Sequence, residues 1–350
     1  MKICVLSYNH EPYIGGIETY TKYLYYFLEK SQIKFDFVSG NMFRYKIVRI
    51  LEVIFIFYKL IIFKNKYEIV HITNLNLWPV LFISKFVPYT KFVVNLHGLE
   101  LVYGKRKNFK SKLFEFLIPY KFINNCKNIH FICNSKETLK LAEKKFNKDQ
   151  LVYIPMGIHK IKLNDFKKKV YPNQLFFIGR IVERKGLGWF CENVLIHFPE
   201  VKLYFAGPIV DKSEFNKINS SSQTEYLGII DELTKYKYIS ESFLTVIPNI
   251  IDKENYDFEG FGISFLEITA NNGLPLITQT QGINTSSMNG KIGVTLKNND
   301  AISWINKISY LQKNGLLLRK KIILNNQKLI KENFIWKDIF KKTFTFYENI

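Results

Sequence analysis

Short apolar runs alternate with longer amphipathic stretches along the first 150 residues. The runs are rich in β-branched and aromatic residues, as buried strands are, and fall at 3–7, 35–38, 69–72, 92–96 and 129–133. The stretches between them place apolar residues at helical spacing. This alternation predicts a parallel sheet with crossover helices.

The same alternation repeats in the second half of the chain. Strands are predicted at 175–178, 202–206, 225–227, 244–247 and 276–278, with helices near 186–198, 231–240 and 263–271. Between the two series, residues 161–173 replace apolar periodicity with lysines and contain Pro172, which indicates a linker. We therefore expect an α/β protein of two doubly wound, Rossmann-like domains, residues 1–160 and 161–330.

After Ala301 the pattern is helical to the end of the chain. Trp336, Ile339, Phe340 and Phe344 fall on one face of the last segment. Residues 331–350 are therefore predicted to form a helix that packs back across the junction of the domains.

Composition narrows the class of protein. A chain of 350 residues with 47% hydrophobic residues is long enough for two packed domains and is not disordered. The four cysteines lack zinc-site or disulfide-framework spacing, so a reducing, cytoplasmic location is expected. Polar residues follow the first strand too soon for a signal peptide, and charges interrupt the apolar region 43–63, so no spanning helix is expected.

The net charge of +20 is uneven, since residues 1–150 alone carry +13. Such an excess favours anionic partners: a lipid surface, nucleic acid or a phosphorylated substrate. Only six of the fifty basic residues are arginine, so a compositional bias of the coding sequence is an alternative explanation.

A glycine pair, Gly15 and Gly16, lies between the first strand and a predicted helix. Glycine lets the backbone approach a ligand, and a helix N-terminus presents free N–H groups to an anion. The chain contains no G-x-G-x-x-G dinucleotide motif. Gly16 is a candidate ligand contact, with an ordinary turn as the alternative.

His97 ends a predicted strand in the segment Val-Val-Asn-Leu-His-Gly. Ligands of open α/β sheets bind at the carboxyl ends of the strands. His97 is thus a candidate for chemistry, and the alternative is a histidine that only caps the strand by hydrogen bonding.

Residues 178–186, Ile-Gly-Arg-Ile-Val-Glu-Arg-Lys-Gly, form another strand end, loop and helix start. Arg180 offers a planar fork and Lys185 a point charge, and both suit phosphate oxygens. A solvated loop with three cations is the alternative.

The most specific motif is Glu259-Gly-Phe-Gly-Ile-Ser-Phe-Leu-Glu267, in which two carboxylates flank a glycine-rich turn. If most of it were helical, the carboxylates would stand up to roughly 12 Å apart. Glycoside hydrolases use pairs roughly 5 to 9.5 Å apart, so hydrolysis is disfavoured. The span matches a nucleotide-activated sugar, with the amides of Phe261, Gly262 and Ile263 facing its diphosphate.

Asp257-Phe258-Glu259 is similar to the D-x-D by which other sugar transferases hold a divalent metal. Arg180 and Lys185 already offer charge to neutralise a leaving diphosphate. We therefore predict neither a metal nor a cofactor.

In their order and spacing these segments resemble the retaining glycosyltransferases of family 4, which have the two-domain GT-B fold. The resemblance covers nearly the whole chain and runs through Gly15-Gly16-Ile17-Glu18-Thr19, His97-Gly98, Cys133-Asn134-Ser135, Ile154-Pro155-Met156-Gly157-Ile158, Gly179-Arg180, Lys185-Gly186, Ala206-Gly207 and the Glu259 to Glu267 motif.

The resemblance implies a role for each part of the motif set. Arg180 and Lys185 would hold the donor diphosphate, Glu267 the ribose hydroxyls, and Glu259 the transferred sugar, with His97 beside the reacting sugar. Donor contacts are also expected from Gly16, from Gly207 and from the backbone amides of Phe261, Gly262 and Ile263. The resemblance further implies domain closure, retention of the anomeric configuration and no obligatory metal.

Two positions depart from the family pattern. His159 stands where an aspartate commonly follows the Pro-x-Gly-x unit, and Asn249 where a serine commonly follows the proline of Val-Ile-Pro. Neither change removes a charge that the chemistry needs, but both leave the nucleotide base and the sugar undetermined.

A basic stretch lies just beyond His97: Lys105, Arg106, Lys107, Lys110 and Lys112. Together with the aromatic region 43–63 it suits a lipid-phosphate acceptor or an anionic membrane surface. A core helix with one solvated side is the alternative for residues 43–63.

We therefore expect a cytoplasmic, membrane-peripheral glycosyltransferase of the hexosyltransferase type that builds a cell-surface polysaccharide or lipopolysaccharide. Its partners would be a nucleotide-sugar donor and a saccharide acceptor, lipid-linked or not, and no nucleic acid. The alternatives are a sugar-nucleotide epimerase of the same fold, a scaffold with a decayed site, and a basic nucleic-acid-binding protein, although no module of the last kind occurs.

Overall fold

The computed structural model describes residues 1–7, 15–39, 67–159, 161, 169–251, 256 and 258–350. The chain forms two units. The first comprises Met1–His159, Glu254–Phe261 and Trp336–Ile350, and the second Lys160–Lys253 and Gly262–Ile335. This division differs from the expected one at 254–261, which sequence analysis assigned to the C-terminal domain. The reason is local: residues 258–260 pack on the turn after His97.

The first unit is built on six parallel strands in the order β2-β1-β3-β4-β5-β6. They are β1 (Lys2–Ser7), β2 (Lys34–Ser39), β3 (Ile69–Ile72), β4 (Lys91–Leu96), β5 (Ile129–Cys133) and β6 (Leu151–Tyr153). Central strands are buried on both faces, which explains their continuous apolar runs. In register, Ile3 lies between Phe35 and Ile69.

Among the described residues of the first unit, four helices follow these strands: α1 (Gly16–Lys30), α2 (Phe109–Leu117), α3 (Tyr120–Asn125) and α4 (Lys136–Ala142). Ser135 caps α4, since its hydroxyl accepts a hydrogen bond from the Thr138 N–H at 3.0 Å. The connections also contain 3-10 helices at Leu75–Lys85, Leu99–Lys105 and Lys148–Gln150.

The second unit repeats the architecture, with six parallel strands in the order β12-β11-β10-β7-β8-β9. They are β7 (Tyr171–Ile178), β8 (Lys202–Ala206), β9 (Thr224–Tyr226), β10 (Ser242–Ile247), β11 (Pro275–Thr278) and β12 (Val294–Leu296). Phe177 and Phe205 are paired on adjacent strands and are fully buried in the core of this unit.

The helices of the second unit are α5 (Leu187–Asn193), α6 (Lys212–Asn219), α7 (Glu232–Glu241), α8 (Ile263–Ala270), α9 (Gln281–Ser286) and α10 (Ala301–Asn333). Two 3-10 helices, Glu183–Lys185 and Leu195–His197, flank α5. Asp231 caps α7 through the Thr234 N–H at 2.7 Å, as expected for an aspartate at a helix start. Helix α10 bends at Gly315, whose φ is 68°.

The last helix, α11 (Trp336–Asn349), belongs to the first unit. Its first residue, Trp336, donates its N–H to the carbonyl oxygen of Ile158 at 2.9 Å. Its aromatic side chains pack against α1, where Phe340 lies 5.6 Å from Phe27 between ring centroids.

The predicted fold class is confirmed, since both halves are doubly wound parallel sheets. Strands β6, β9 and β12 are each only three residues long; sequence analysis predicts β9, at 225–227, but neither β6 nor β12. The predicted linker is too long by three residues, because β7 already begins at Tyr171. The aromatic region 43–63 lies outside the described residues.

Candidate functional site

His97 follows β4 at the carboxyl edge of the first sheet and is buried. Its Nε2 lies 2.8 Å from the carbonyl oxygen of Thr73, and its backbone N–H donates to Glu100 Oε1 at 2.5 Å. The Nε2 contact holds the ring, as expected for a histidine that caps a strand by hydrogen bonding. Such bonds also fix the orientation that a catalytic imidazole needs.

The segment containing Glu259 packs directly on the turn that follows His97. A β-carbon added to Gly98 would overlap the ring of Phe258, and one added to Gly260 would overlap the carbonyl oxygen of His97. Gly260 also lies beside Asn134, whose Nδ2 would be 3.2 Å from that β-carbon. The first unit therefore brings Glu259 and His97 to one place, although they are far apart in sequence.

A buried network of hydrogen-bonded polar side chains lies behind His97. The Tyr347 hydroxyl is 2.6 Å from His71 Nδ1, and the Tyr20 hydroxyl is 3.4 Å from His71 Nε2. Tyr20 donates to Asn95 Oδ1 at 3.1 Å, and its ring meets the ring of His97 edge-on at 5.9 Å. This network could not be predicted from the sequence, because its residues come from four elements that are distant along the polypeptide.

Burial determines the protonation states of the histidine and the two tyrosines in this network. Desolvation lowers the pKa of His71 to about 3, so the ring is neutral near pH 7. The same cause raises the pKa of Tyr20 and of Tyr347 above the ordinary value of a phenol. Neutral groups therefore surround the His97 ring on this side.

In the second unit, the loops after β7 and β8 approach each other very closely. Gly207 has a φ of 135°, and a β-carbon there would overlap the carbonyl oxygen of Gly179. Only glycine fits such a close approach with positive φ. Arg180 follows Gly179 directly and is exposed at the carboxyl edge of this sheet.

Lys185 ends the short 3-10 helix before α5, and its loop is fixed by the segment after β10. The Ile250 N–H donates to the carbonyl oxygen of Arg184 at 3.0 Å, and a β-carbon on Gly186 would overlap the carbonyl oxygen of Pro248. The two candidate phosphate ligands, Arg180 and Lys185, thus belong to the loop between β7 and α5.

Asn249 lies between these contacts and was singled out in the sequence only as a departure from the family pattern. It is 5% exposed, and its Oδ1 accepts no hydrogen bond from the described residues. The Oγ1 of Thr280, after β11, is likewise buried without a hydrogen bond from that part of the chain. Buried polar atoms ordinarily have partners, so both are candidate ligand contacts.

Glu267 lies on α8, which begins at Ile263 after Gly262. Its carboxylate is 3.7 Å from Lys235 Nζ of α7. Burial raises the pKa of Glu267, Lys235 opposes that shift, and Glu232 adds to it. Lys235 is a further charged group of the site that sequence analysis did not identify, because it lies on a different helix.

The glycine-rich turn of the Glu259 to Glu267 motif divides between the units. Phe261 belongs to the first unit and is 2% exposed, whereas Gly262 and Ile263 belong to the second. Helix occupies only the part from Ile263 onwards, so the expected span calculated for a mostly helical motif does not apply.

Gly16 is the first residue of α1, and residues 8–14 lie outside the described part of the chain. Among the basic residues, Lys105 ends a 3-10 helix and lies 5.6 Å from the ring centroid of Tyr256. Arg106 and Lys107 connect it to α2, on which Lys110 and Lys112 lie. The basic stretch is thus partly helical.

In the part of the chain that the structure describes, no group of three His, Cys, Asp or Glu side chains is placed to hold a metal ion. Asp257 of the D-x-D sequence lies outside that part, so independence from metal stays a prediction. Within the same residues, no helix combines the length and apolar character needed to cross a bilayer.

Sequence comparison matches the second part of the chain to a known family. Residues 160–329 match the family described as glycosyl transferases group 1. No curated protein matches the chain in sequence.

The fold is shared with solved structures at low sequence identity. Sucrose-phosphate synthase from Thermosynechococcus elongatus aligns with a TM-score of 0.79 at 16% identity, covering 99% of this chain and 98% of that one. Anabaena HepE, solved in complex with UDP, gives 0.72 at 14%, covering 100% of each chain. The lipopolysaccharide outer core galactosyltransferase WaaB gives 0.65 at 11%, covering 99% of each.

The two parallel α/β units therefore share the GT-B fold with these solved glycosyltransferases. The match of residues 160–329 to the glycosyl transferases group 1 family confirms the expected enzyme class, a glycosyltransferase.

Proposed function

We propose that this enzyme transfers a sugar, with retention of its anomeric configuration, from a nucleoside diphosphate sugar to a lipid-linked saccharide. The product would enter a cell-surface polysaccharide or lipopolysaccharide. HepE has been solved with UDP and with UDP-glucose, and WaaB is a lipopolysaccharide galactosyltransferase, which supports a nucleotide-sugar donor and an acceptor of this kind.

The second unit is assigned the nucleotide part of the donor. The close approach of Gly207 to Gly179 leaves backbone, rather than side chains, at the carboxyl edge of β7 and β8. Arg180 and Lys185 lie in the loop that starts there, and their charges would balance the diphosphate. Because Pro248 and Ile250 hold that loop, little rearrangement would be needed to bind.

Glu267 is assigned the ribose hydroxyls. A carboxylate accepts hydrogen bonds from two neighbouring hydroxyl groups, whereas a protonated carboxyl group accepts fewer. Lys235, 3.7 Å away, favours the carboxylate against the effect of burial. The Oδ1 of Asn249 and the Oγ1 of Thr280 would take hydroxyl donors from the same ligand.

The contact between Gly260 and His97 is the observation that carries the catalytic part of the proposal. The contact holds the backbone of Gly260, the residue after Glu259, against the backbone of His97. The side chains of Glu259 and His97 therefore extend from neighbouring parts of the backbone. Glu259 would contact the transferred sugar, and His97 would orient it.

In the proposed reaction, the bond between the anomeric carbon and the diphosphate oxygen breaks. The acceptor oxygen bonds to the same face of that carbon, which retains the configuration. The acceptor hydroxyl gives its proton to the leaving phosphate oxygen. The enzyme would act by positioning and by stabilising the negative charge that grows on the diphosphate, without a metal.

A lipid-linked acceptor would be met at the cytoplasmic face of a membrane. Lys105, Arg106, Lys107 and Lys110 follow the His97 turn and would attract an anionic lipid phosphate or lipid surface. This is consistent with the basic excess of the first 150 residues.

Binding of nucleotides to the purified protein tests the proposal. We expect one of UDP, GDP, ADP or dTDP, or a sugar conjugate of it, to raise the melting temperature, and the shift to persist in EDTA. Loss of the shift in EDTA would contradict metal independence. Stabilisation by a short DNA duplex and by none of the nucleotides would overturn the donor assignment.

A further inference from the structure

Helix α2 is short and sharply bounded. Asn108 caps it by accepting the Lys110 N–H at 2.9 Å, and Pro119 follows its end. None of its nine residues is buried. A surface helix ordinarily buries its apolar side, so the question is which side of α2 faces the protein.

The inner side of α2 carries Phe114 and the only acidic residue of the helix. The Phe114 ring lies 5.6 Å from the ring of Tyr103. Glu115 accepts hydrogen bonds from the Gly104 N–H and from Lys145 Nζ. These contacts fix the rotation of the helix, because a carboxylate held by two donors cannot easily turn outward.

The outer side is apolar. Phe109, Leu113, Phe116 and Leu117 are 74%, 44%, 85% and 53% exposed. They are spaced i, i+4, i+7 and i+8, so they form one stripe about 100° wide on the helix. Helix α2 therefore presents to solvent the kind of face that other helices bury.

Charge indicates what covers this stripe. Lys110 and Lys112 border it on its two sides, Lys105 and Lys107 precede the helix, and all four are exposed. Across two copies of the chain, these lysines would meet lysines and repel one another. An anionic lipid surface suits both the apolar stripe and the lysines. The acyl chains would surround the apolar side chains, and the negatively charged headgroups would pair with the ammonium groups.

We propose that α2 lies in the plane of an anionic lipid bilayer, with Phe109, Leu113, Phe116 and Leu117 inserted and Lys110 and Lys112 at the headgroups. This docking site does not depend on the proposed reaction. It specifies the element that would bring the enzyme to a lipid-linked acceptor.

Vesicle flotation of the full-length protein, without donor or acceptor, tests the site. We expect binding to vesicles of phosphatidylglycerol and phosphatidylcholine, and much weaker binding to phosphatidylcholine alone. The double substitution Phe109→Ser and Phe116→Ser should lower the partition coefficient about ten-fold or more. Lys110→Gln with Lys112→Gln should lower it about ten-fold at low salt.

Matched substitutions on α10 separate a docking site from general attraction by a protein of charge +20. Leu316→Ser with Leu317→Ser removes exposed apolar groups there, and Lys313→Gln with Lys321→Gln removes the same charge as the lysine pair on α2. Both should bind vesicles as the wild type does, and all variants should retain its melting temperature.

Equal losses of vesicle binding in the double variants of α2 and of α10 would overturn the proposal. Failure of the wild-type protein to bind anionic vesicles would also overturn it. A dimer in light scattering that Phe109→Ser with Phe116→Ser dissociates would assign the stripe to a second copy instead. Nucleotide binding is measured separately, so failure here leaves the donor assignment untouched.

Discussion

Gly260 lies against the carbonyl oxygen of His97 with no room for a side chain between them. We predict that Gly260→Ala displaces the Glu259 segment and lowers transfer at least about 100-fold, because small misplacements of reacting groups are costly. Binding of a nucleoside diphosphate should change less than about two-fold. Steady-state transfer and calorimetric binding measure the two effects.

Gly315→Ala is the control for this substitution. Gly315 has a positive φ but open space around its Cα, so alanine there strains the backbone without displacing a neighbour. It should lower stability by about 1 kcal/mol and leave transfer unchanged. If both variants lose transfer equally, the contact with His97 is not the cause.

Glu259→Gln tests the proposed role of the carboxylate with almost no change in shape. Loss of its charge should lower kcat about 100-fold or more, since the proposed interaction is with the transferred sugar. Affinity for the nucleoside diphosphate should stay within about two-fold. Wild-type kcat in this variant would disprove the assignment.

Lys185→Ala should lower the affinity for the nucleoside diphosphate, which Glu259→Gln should leave almost unchanged. Loss of a charge-assisted contact to the diphosphate should weaken nucleoside diphosphate binding about ten-fold, whereas binding of the nucleoside alone should not change. Lys212→Ala, an exposed lysine on α6, is the control and should change neither. A Lys185→Ala variant with unaltered diphosphate affinity would remove this residue from the donor site.

The ion pair of Lys235 and Glu267 predicts a dependence of donor binding on pH. Burial raises the pKa of Glu267, so affinity should fall as pH falls and the carboxylate is protonated. Lys235→Met removes the cation that lowers this pKa, and the fall should then begin at higher pH.

At the acid end of the range, Lys235→Met should weaken binding about three-fold. Lys237→Met, an exposed lysine on the same helix, should leave the pH profile of the dissociation constant unchanged. An identical profile in wild type and Lys235→Met would separate this pair from donor binding.

Local patterns were sufficient to predict the fold and to select candidate site residues at the ends of strands. The apolar runs that lead to His97 and to Arg180 are buried along most of β4 and at 175–177 of β7, and such runs predict that both residues lie at carboxyl edges. Contacts between distant segments were not predictable. The packing of Gly260 on His97, the Lys235 to Glu267 pair and the outward stripe of α2 all depend on which surfaces meet.

His71 shows the same limit, since a histidine in the strand sequence Ile-Val-His-Ile carries no local sign of its partners. In the structure it is fully buried, and burial lowers its pKa from an ordinary 6.5 to about 3. Between these pH values the unfolded chain binds a proton that the folded protein does not. The free energy of unfolding should therefore fall as pH drops below 6.5, by up to about 1.4 kcal/mol per pH unit for this residue.

His71→Gln should lower the free energy of unfolding at pH 7.5 and should also flatten its decline between pH 6 and 4. Urea unfolding at several pH values measures both effects. Tyr347→Phe is the matched control, because it removes the 2.6 Å hydrogen bond to Nδ1 but keeps the buried imidazole, so it should destabilise the protein and preserve the pH slope. A slope in His71→Gln equal to that of the wild type would mean that the buried ring is not the group that takes up the proton on unfolding.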